Sequence, residues 1–173
     1  AAPKPQASPV AQAEPPKAVK IATSRTGDGG RIDFDFGRTA SAAAFERQGV
    51  VTLVFDTAQN FDPAELPGNL AGMIASAEVE RQASAVVIRL ALSGRQLARF
   101  SPDGARWSLT LGEQSLTAAQ PLVPARGIDD TGQTVLSLPV ADAATVHWIR
   151  IPGLATPWAV ATLPGPTRAV VKP

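Results

Sequence analysis

Arg31-Ile32-Asp33-Phe34-Asp35-Phe36 is the stretch on which the fold turns: every second residue is apolar and the gaps between them are charged. A β-strand points successive side chains to opposite faces, so Ile32, Phe34 and Phe36 share one side and Arg31, Asp33 and Asp35 the other. The same period runs through Val50–Phe55, with Val51, Leu53 and Phe55 together. It returns in 85–92, with Val86, Ile88, Leu90 and Leu92 opposite Val87, Arg89 and Ala91. Shorter strands are expected over 43–47 and 73–81. Half-buried strands of this kind, with one wet face each, belong to an antiparallel sheet.

Asp62-Pro63-Ala64-Glu65 is the one helical signal, with an N-cap, a proline at the first helical position and an acid at the third. Pro67 lacks the N–H a second turn needs, so about one turn is expected. Ser101-Pro102-Asp103-Gly104 suits a type I turn followed by a left-handed glycine, a hairpin with a bulge. That register sets Arg99 opposite Trp107 and Leu97 opposite Leu109. Further on, 122–128 and 133–138 flank the turn signal Asp129-Asp130-Thr131-Gly132, and 145–151 and 158–163 flank a Pro/Gly-rich connection. The final 167–173 has strand composition.

The 173 residues are 45% hydrophobic with a formal net charge of +1, as in a soluble globular protein. Residues 1–29 are rich in Ala, Pro and Lys and poor in large apolar side chains, so they are expected to be a disordered linker. The chain then divides into a β module at 30–113 and a second, incomplete one at 114–173. No apolar run reaches the ~20 residues that span a bilayer, and no signal-peptide pattern precedes the linker, so the chain reads as a processed product without membrane insertion. With no cysteine there is no disulfide and no thiolate metal site. Charge is uneven: 28–80 is net acidic and 81–112 net basic, which points to an electrically two-sided fold.

Asp33 and Asp35 lie at i and i+2, ~6.6 Å apart on one strand face, and could join a Ca²⁺ site if loops added carbonyls. The extra ligands are not evident in the sequence, and an exposed strand face needs alternating polar residues in any case. His147 is the only histidine, so no two-histidine metal motif exists, and no G-x-S-x-G elbow accompanies it. Phosphate-cradling glycine motifs are missing too. No catalytic residue, cofactor or metal site is therefore expected. Arg81, Arg89, Arg95, Arg99 and Arg106 stand out instead: if 84–92, 95–101 and 105–111 are adjacent strands, several guanidiniums gather on one sheet. Planar guanidiniums recognise carboxylates in bidentate fashion. Arg89, Arg99 and Arg106 are the candidate ligand contacts, toward an acidic glycan or peptide. Nucleic acid fits less well, because single-strand readers expose stacking aromatics and these follow the apolar face. Trp148 and Trp158 are assigned to the core. Arg168 and Val170, in the terminal strand-like segment, are the candidate edge for joining another chain by strand addition or for self-association.

The succession "RIDFDF", "FER", "VTLVFD" and "FDPAELP" resembles the β-rich repeat of periplasmic tetratricopeptide-repeat proteins of alphaproteobacteria, which is similar to the AMIN domain of cell-wall amidases and secretin pilot systems. Residues 119–173, with "PLVPAR" and "VHWIRIP", are similar to the segment that follows that repeat. The resemblance implies a small antiparallel β-sandwich, a periplasmic location, and a targeting role that docks on peptidoglycan or an envelope protein. It carries over no binding residue, and no counterpart of the amidases' separate zinc domain is present.

Overall fold

The computed structural model describes residues 18–66, 68–112, 121–138, 145–165 and 170–171. Eight strands come first: β1 (Lys20–Thr26), β2 (Gly29–Asp35), β3 (Ala42–Arg47), β4 (Val50–Phe55), β5 (Ile74–Arg81), β6 (Val86–Leu92), β7 (Leu97–Asp103) and β8 (Arg106–Gly112). They form two four-stranded antiparallel sheets, sheet A in the order β1-β2-β8-β7 and sheet B in the order β3-β4-β6-β5. The all-β expectation holds. The single helical signal becomes a 3-10 turn at Pro63–Glu65, where the Asp62 carboxylate accepts a hydrogen bond from the Ala64 N–H at 2.9 Å.

The two inner faces meet in one core. Ile32 and Phe34 of β2 with Trp107, Leu109 and Leu111 of β8 pack against Val51, Leu53 and Phe55 of β4 and Val86, Ile88 and Leu90 of β6. Phe55 stands at its centre, 5.1 Å from both Phe34 and Phe36, 5.5 Å from Phe61 and 5.9 Å from Phe100 between ring centroids.

Two expectations about the sandwich need correction. Residues 20–26, assigned to the linker, are a strand instead, since Lys20–Thr26 pairs along its whole length with β2. Val19 is buried and Ile21 packs on the core, so this short apolar alternation was enough to recruit a strand. The β7–β8 hairpin also turns later: Gly104 (φ 61°) and Ala105 form a two-residue loop with glycine first, the arrangement that suits strand twist. Arg99 therefore faces Thr110, and Trp107 faces Pro102. Pro102 is tolerated because β7 is an edge strand, where a missing donor breaks no ladder bond. Trp107 turns inward, stacks on Phe100 at 4.7 Å and donates its indole N–H to the Ala40 carbonyl at 2.8 Å.

After β8 come β9 (Pro121–Leu122), β10 (Ala125–Ile128), β11 (Thr134–Ser137), β12 (Thr145–Ile149), β13 (Trp158–Thr162) and β14 (Val170–Val171). The β10–β11 hairpin is closed by Asp129, whose carboxylate accepts from the Thr131 hydroxyl and from the Thr131 and Gln133 amides. The β12–β13 hairpin has a different role. It lies on the outer face of sheet B, where Ile149 and Val160 form a second cluster with Val54, Ala85 and Val87, flanked by Ala43 and Phe45. Val54 and Val87 are fully buried, so the hairpin covers the middle of this face, while Ser76 and Glu78 of β5 on the same face stay exposed. Residues 145–162 thus complete the first module instead of building a separate core. Leu163 continues the attachment by exchanging two backbone hydrogen bonds with Ala42 of edge strand β3.

Candidate functional site

The arginine set does not gather on one sheet. β6 has strands on both sides, so no edge remains for β7, and 93–96 must cross to sheet A. Arg89 is left under the hairpin, its guanidinium 2.7 Å from Glu80 and donating to the Arg150 carbonyl at 2.9 Å. That arginine clamps sheet B to the segment after β12, and it offers little to a ligand. Arg168 lies outside the described residues. Val170 belongs to β14, which pairs in parallel with β9.

Arg99 and Arg106 do share a surface, the outer face of sheet A, which no described element covers. Strand registers order it into rows. One row runs Lys20, Asp35, Arg106, Asp103; the next Ala22, Asp33, Ser108, Ser101; the third Ser24, Arg31, Thr110, Arg99. Opposite charges alternate along the first row, with Arg106 3.7 Å from Asp35, which favours the sheet slightly without freezing it. The acidic and basic segments of the sequence are thereby interleaved, and the expected division into two charged sides is not realised on this face. In the third row Arg31 and Arg99 flank the Thr110 hydroxyl, two strand spacings or roughly 10 Å apart.

Asp33 and Asp35, the pair that raised the question of metal chemistry, are occupied separately. Asp33 accepts from Arg31 at 2.7 Å and from the Ser108 hydroxyl, while Asp35 accepts from the Gly37 amide. No group of three metal-ligating side chains lies together among the described residues. Partial burial opposes ionisation of Asp33, but the Ser108 and Arg31 hydrogen bonds outweigh it and hold its carboxyl below the usual range. Its share of stability is therefore complete above the unfolded carboxylate value of about 3.9 and is lost as pH falls through the lowered folded value. Urea midpoints should stay level from neutral pH to about 5 and drop below about 4. Asp33→Asn should flatten part of that drop; an unchanged acid slope would show that the network contributes nothing.

His147 is buried with an unpartnered Nε2, 3.6 Å from Asp56, whose other oxygen accepts from the Thr145 hydroxyl at 2.6 Å. The hydroxyl is thus bonded to the carboxylate and not to the imidazole, so these three residues do not form a nucleophile–base pair. The tryptophans reverse their expectation. Trp148 is 66% exposed and Trp158 39%, the latter packed on Phe45 at 5.6 Å with Arg47 over its ring at 5.7 Å. Trp148 and Val146 form the outward row of β12 opposite Ala159 and Ala161. The period-two count carried this signal: with His147 and Ile149 inward, Trp148 must point out.

No family model matches the chain, and no curated protein and no solved structure matches it either. No helix among the described residues is long and apolar enough to cross a membrane.

Proposed function

We propose that the protein is a non-catalytic interaction module of the cell envelope, acting in the periplasm and docking on peptidoglycan or an envelope protein through the outer face of sheet A. One observation carries this reading: of the two outer sheet faces, that of sheet B is largely taken up by the β12–β13 hairpin over Val54 and Val87, and that of sheet A is covered by no described element, with Arg31, Arg99 and Arg106 on it. On this face of small hydroxyl residues Arg31 and Arg106 are held by Asp33 and Asp35, while Arg99 has no ion pair among the described residues and is the guanidinium that can take a ligand carboxylate in bidentate fashion. The likeness of "RIDFDF" and "FDPAELP" to the envelope repeat points the same way.

Co-sedimentation with purified sacculi tests it. The protein should pellet at low salt, be released at high salt, and lose most of its binding on Arg99→Glu with its melting temperature unchanged. Salt-insensitive pelleting, or none, would count against the arginine face. A second reading is favoured by a different feature: β7 ends sheet A with no described strand beyond it, an edge on which another chain's strand can add. That mode predicts concentration-dependent association in sedimentation velocity that does not respond to salt.

A further inference from the structure

A cleft of about 600 Å³ opens at the end of the sandwich where β7 begins, lined by Asp28, Glu46, Met73, Arg95, Gln96 and Leu97. Its walls also include Gly72 (φ 97°), which leaves open space beside it, and Gly112 (φ 133°), which packs close against the Gly29 backbone. Met73 is buried at the base, and Leu97 is 41% exposed. The charged groups are exposed at the rim, and among the described residues Asp28, Glu46 and Arg95 have no ion-pair partner.

Gln96 adds an unmet requirement. Its Nε2 donates to the Met73 carbonyl at 2.8 Å, which fixes the orientation of the amide, and its enclosed Oε1 is left with no donor. Buried acceptors in folded proteins nearly always have one. The cleft therefore combines two exposed carboxylates, which call for an ammonium, with one exposed guanidinium, which calls for a carboxylate, beside a Gln96 side chain held by the Met73 carbonyl. Between them lies the apolar surface of Met73 and Leu97.

We infer that this cleft binds the zwitterionic end of an amino-acid side chain: an ammonium and a carboxylate on one carbon, carried by a short methylene stem. Arg95 takes the carboxylate, Asp28 and Glu46 take the ammonium, and the stem lies on Met73 and Leu97. This rests on the docking reading above and narrows it to peptide-bearing ligands with such an end.

The probe is meso-diaminopimelic acid, added to the isotope-labelled protein while amide resonances are recorded. Cadaverine, which keeps the two amines, and pimelic acid, which keeps the two carboxylates, are the controls. Saturable shifts are expected at Asp28, Glu46 and 95–97. Affinity should be at least about tenfold weaker for either control, and about tenfold weaker for diaminopimelate on Arg95→Ala or Glu46→Gln. Equal binding of the three compounds, shifts elsewhere, or no saturable shift at millimolar concentration overturns the inference. Sacculus binding separates the two claims. Sacculus binding with a silent titration overturns the cleft alone, whereas saturable diaminopimelate binding by a protein that pellets with no sacculi sustains the cleft and overturns the docking reading.

Discussion

Phe55→Ala should lower the unfolding free energy by about 3 to 5 kcal/mol, the range for emptying a buried phenylalanine site. The upper half of that range is expected here. Phe55 of sheet B is fully buried and contacts the rings of Phe34 and Phe100 from sheet A, of Phe36 just after β2 and of Phe61 just before the 3-10 turn. None of those neighbours can swing into the vacancy without abandoning its other contacts. Domains of this size have only about 5 to 15 kcal/mol in hand, and each kcal/mol moves the melting temperature by roughly 2 to 4 °C. A fall of roughly 6 to 20 °C in a thermal melt follows. Phe55→Leu, which keeps most of the volume, should recover most of it. A loss under about 1 kcal/mol for the alanine variant would mean that the sheets are not held together by this cluster.

The second large effect concerns the covered face of sheet B. Ile149→Asp places a carboxylate against Val54, Val87 and Val160, at a loss of at least about 3 kcal/mol in local packing and desolvation. The hairpin, not the sandwich, should give way, because a two-stranded hairpin is marginal by itself while β4 and β6 keep their inner-face contacts. Limited proteolysis should cut within 145–162, a hydrophobic dye should bind the uncovered face, and Trp158 emission should shift to the red as the ring leaves Phe45. Amide protection of β2 and β8 should persist. Proteolysis unchanged from the parent protein, or protection lost throughout sheet A, would show that the hairpin is not a separable cover.

The sequence foretold more of the strands than of their neighbours. Period two located β2, β4 and β6, because burial of one face leaves a mark on every second side chain, and turn signals located the later hairpins to within a few residues. The mark of burial on both faces was there too. Val50–Phe55 and Val86–Leu92 are nearly continuous apolar runs, whereas "RIDFDF" and "RWSLTL" alternate cleanly, and continuity is what a strand covered on both sides shows. What covers the second face is a matter of contacts 60 residues or more apart in the chain, such as Arg89 with Arg150, and no local pattern encodes them. The hairpin register failed for a local reason: Asp-Gly was taken as the end of a bulged turn when Gly104 opens a two-residue one. The arginine surface failed for a topological one, since adjacency in sequence at 84–111 was taken for adjacency in a sheet. Arg99 and Arg106 survive on one face of sheet A because they lie on the two strands of one hairpin, two rows apart; Arg89 does not.

The cover over sheet B is made by the chain's later part, and this bears on synthesis. Once Leu92 has left the ribosome, roughly 70 more residues must follow before Thr162 is available, about 4 to 14 s at ordinary elongation rates. A chain that folds as it is made would display Val54 and Val87 to its surroundings throughout that interval, a sticky surface that closes only when the last hairpin arrives.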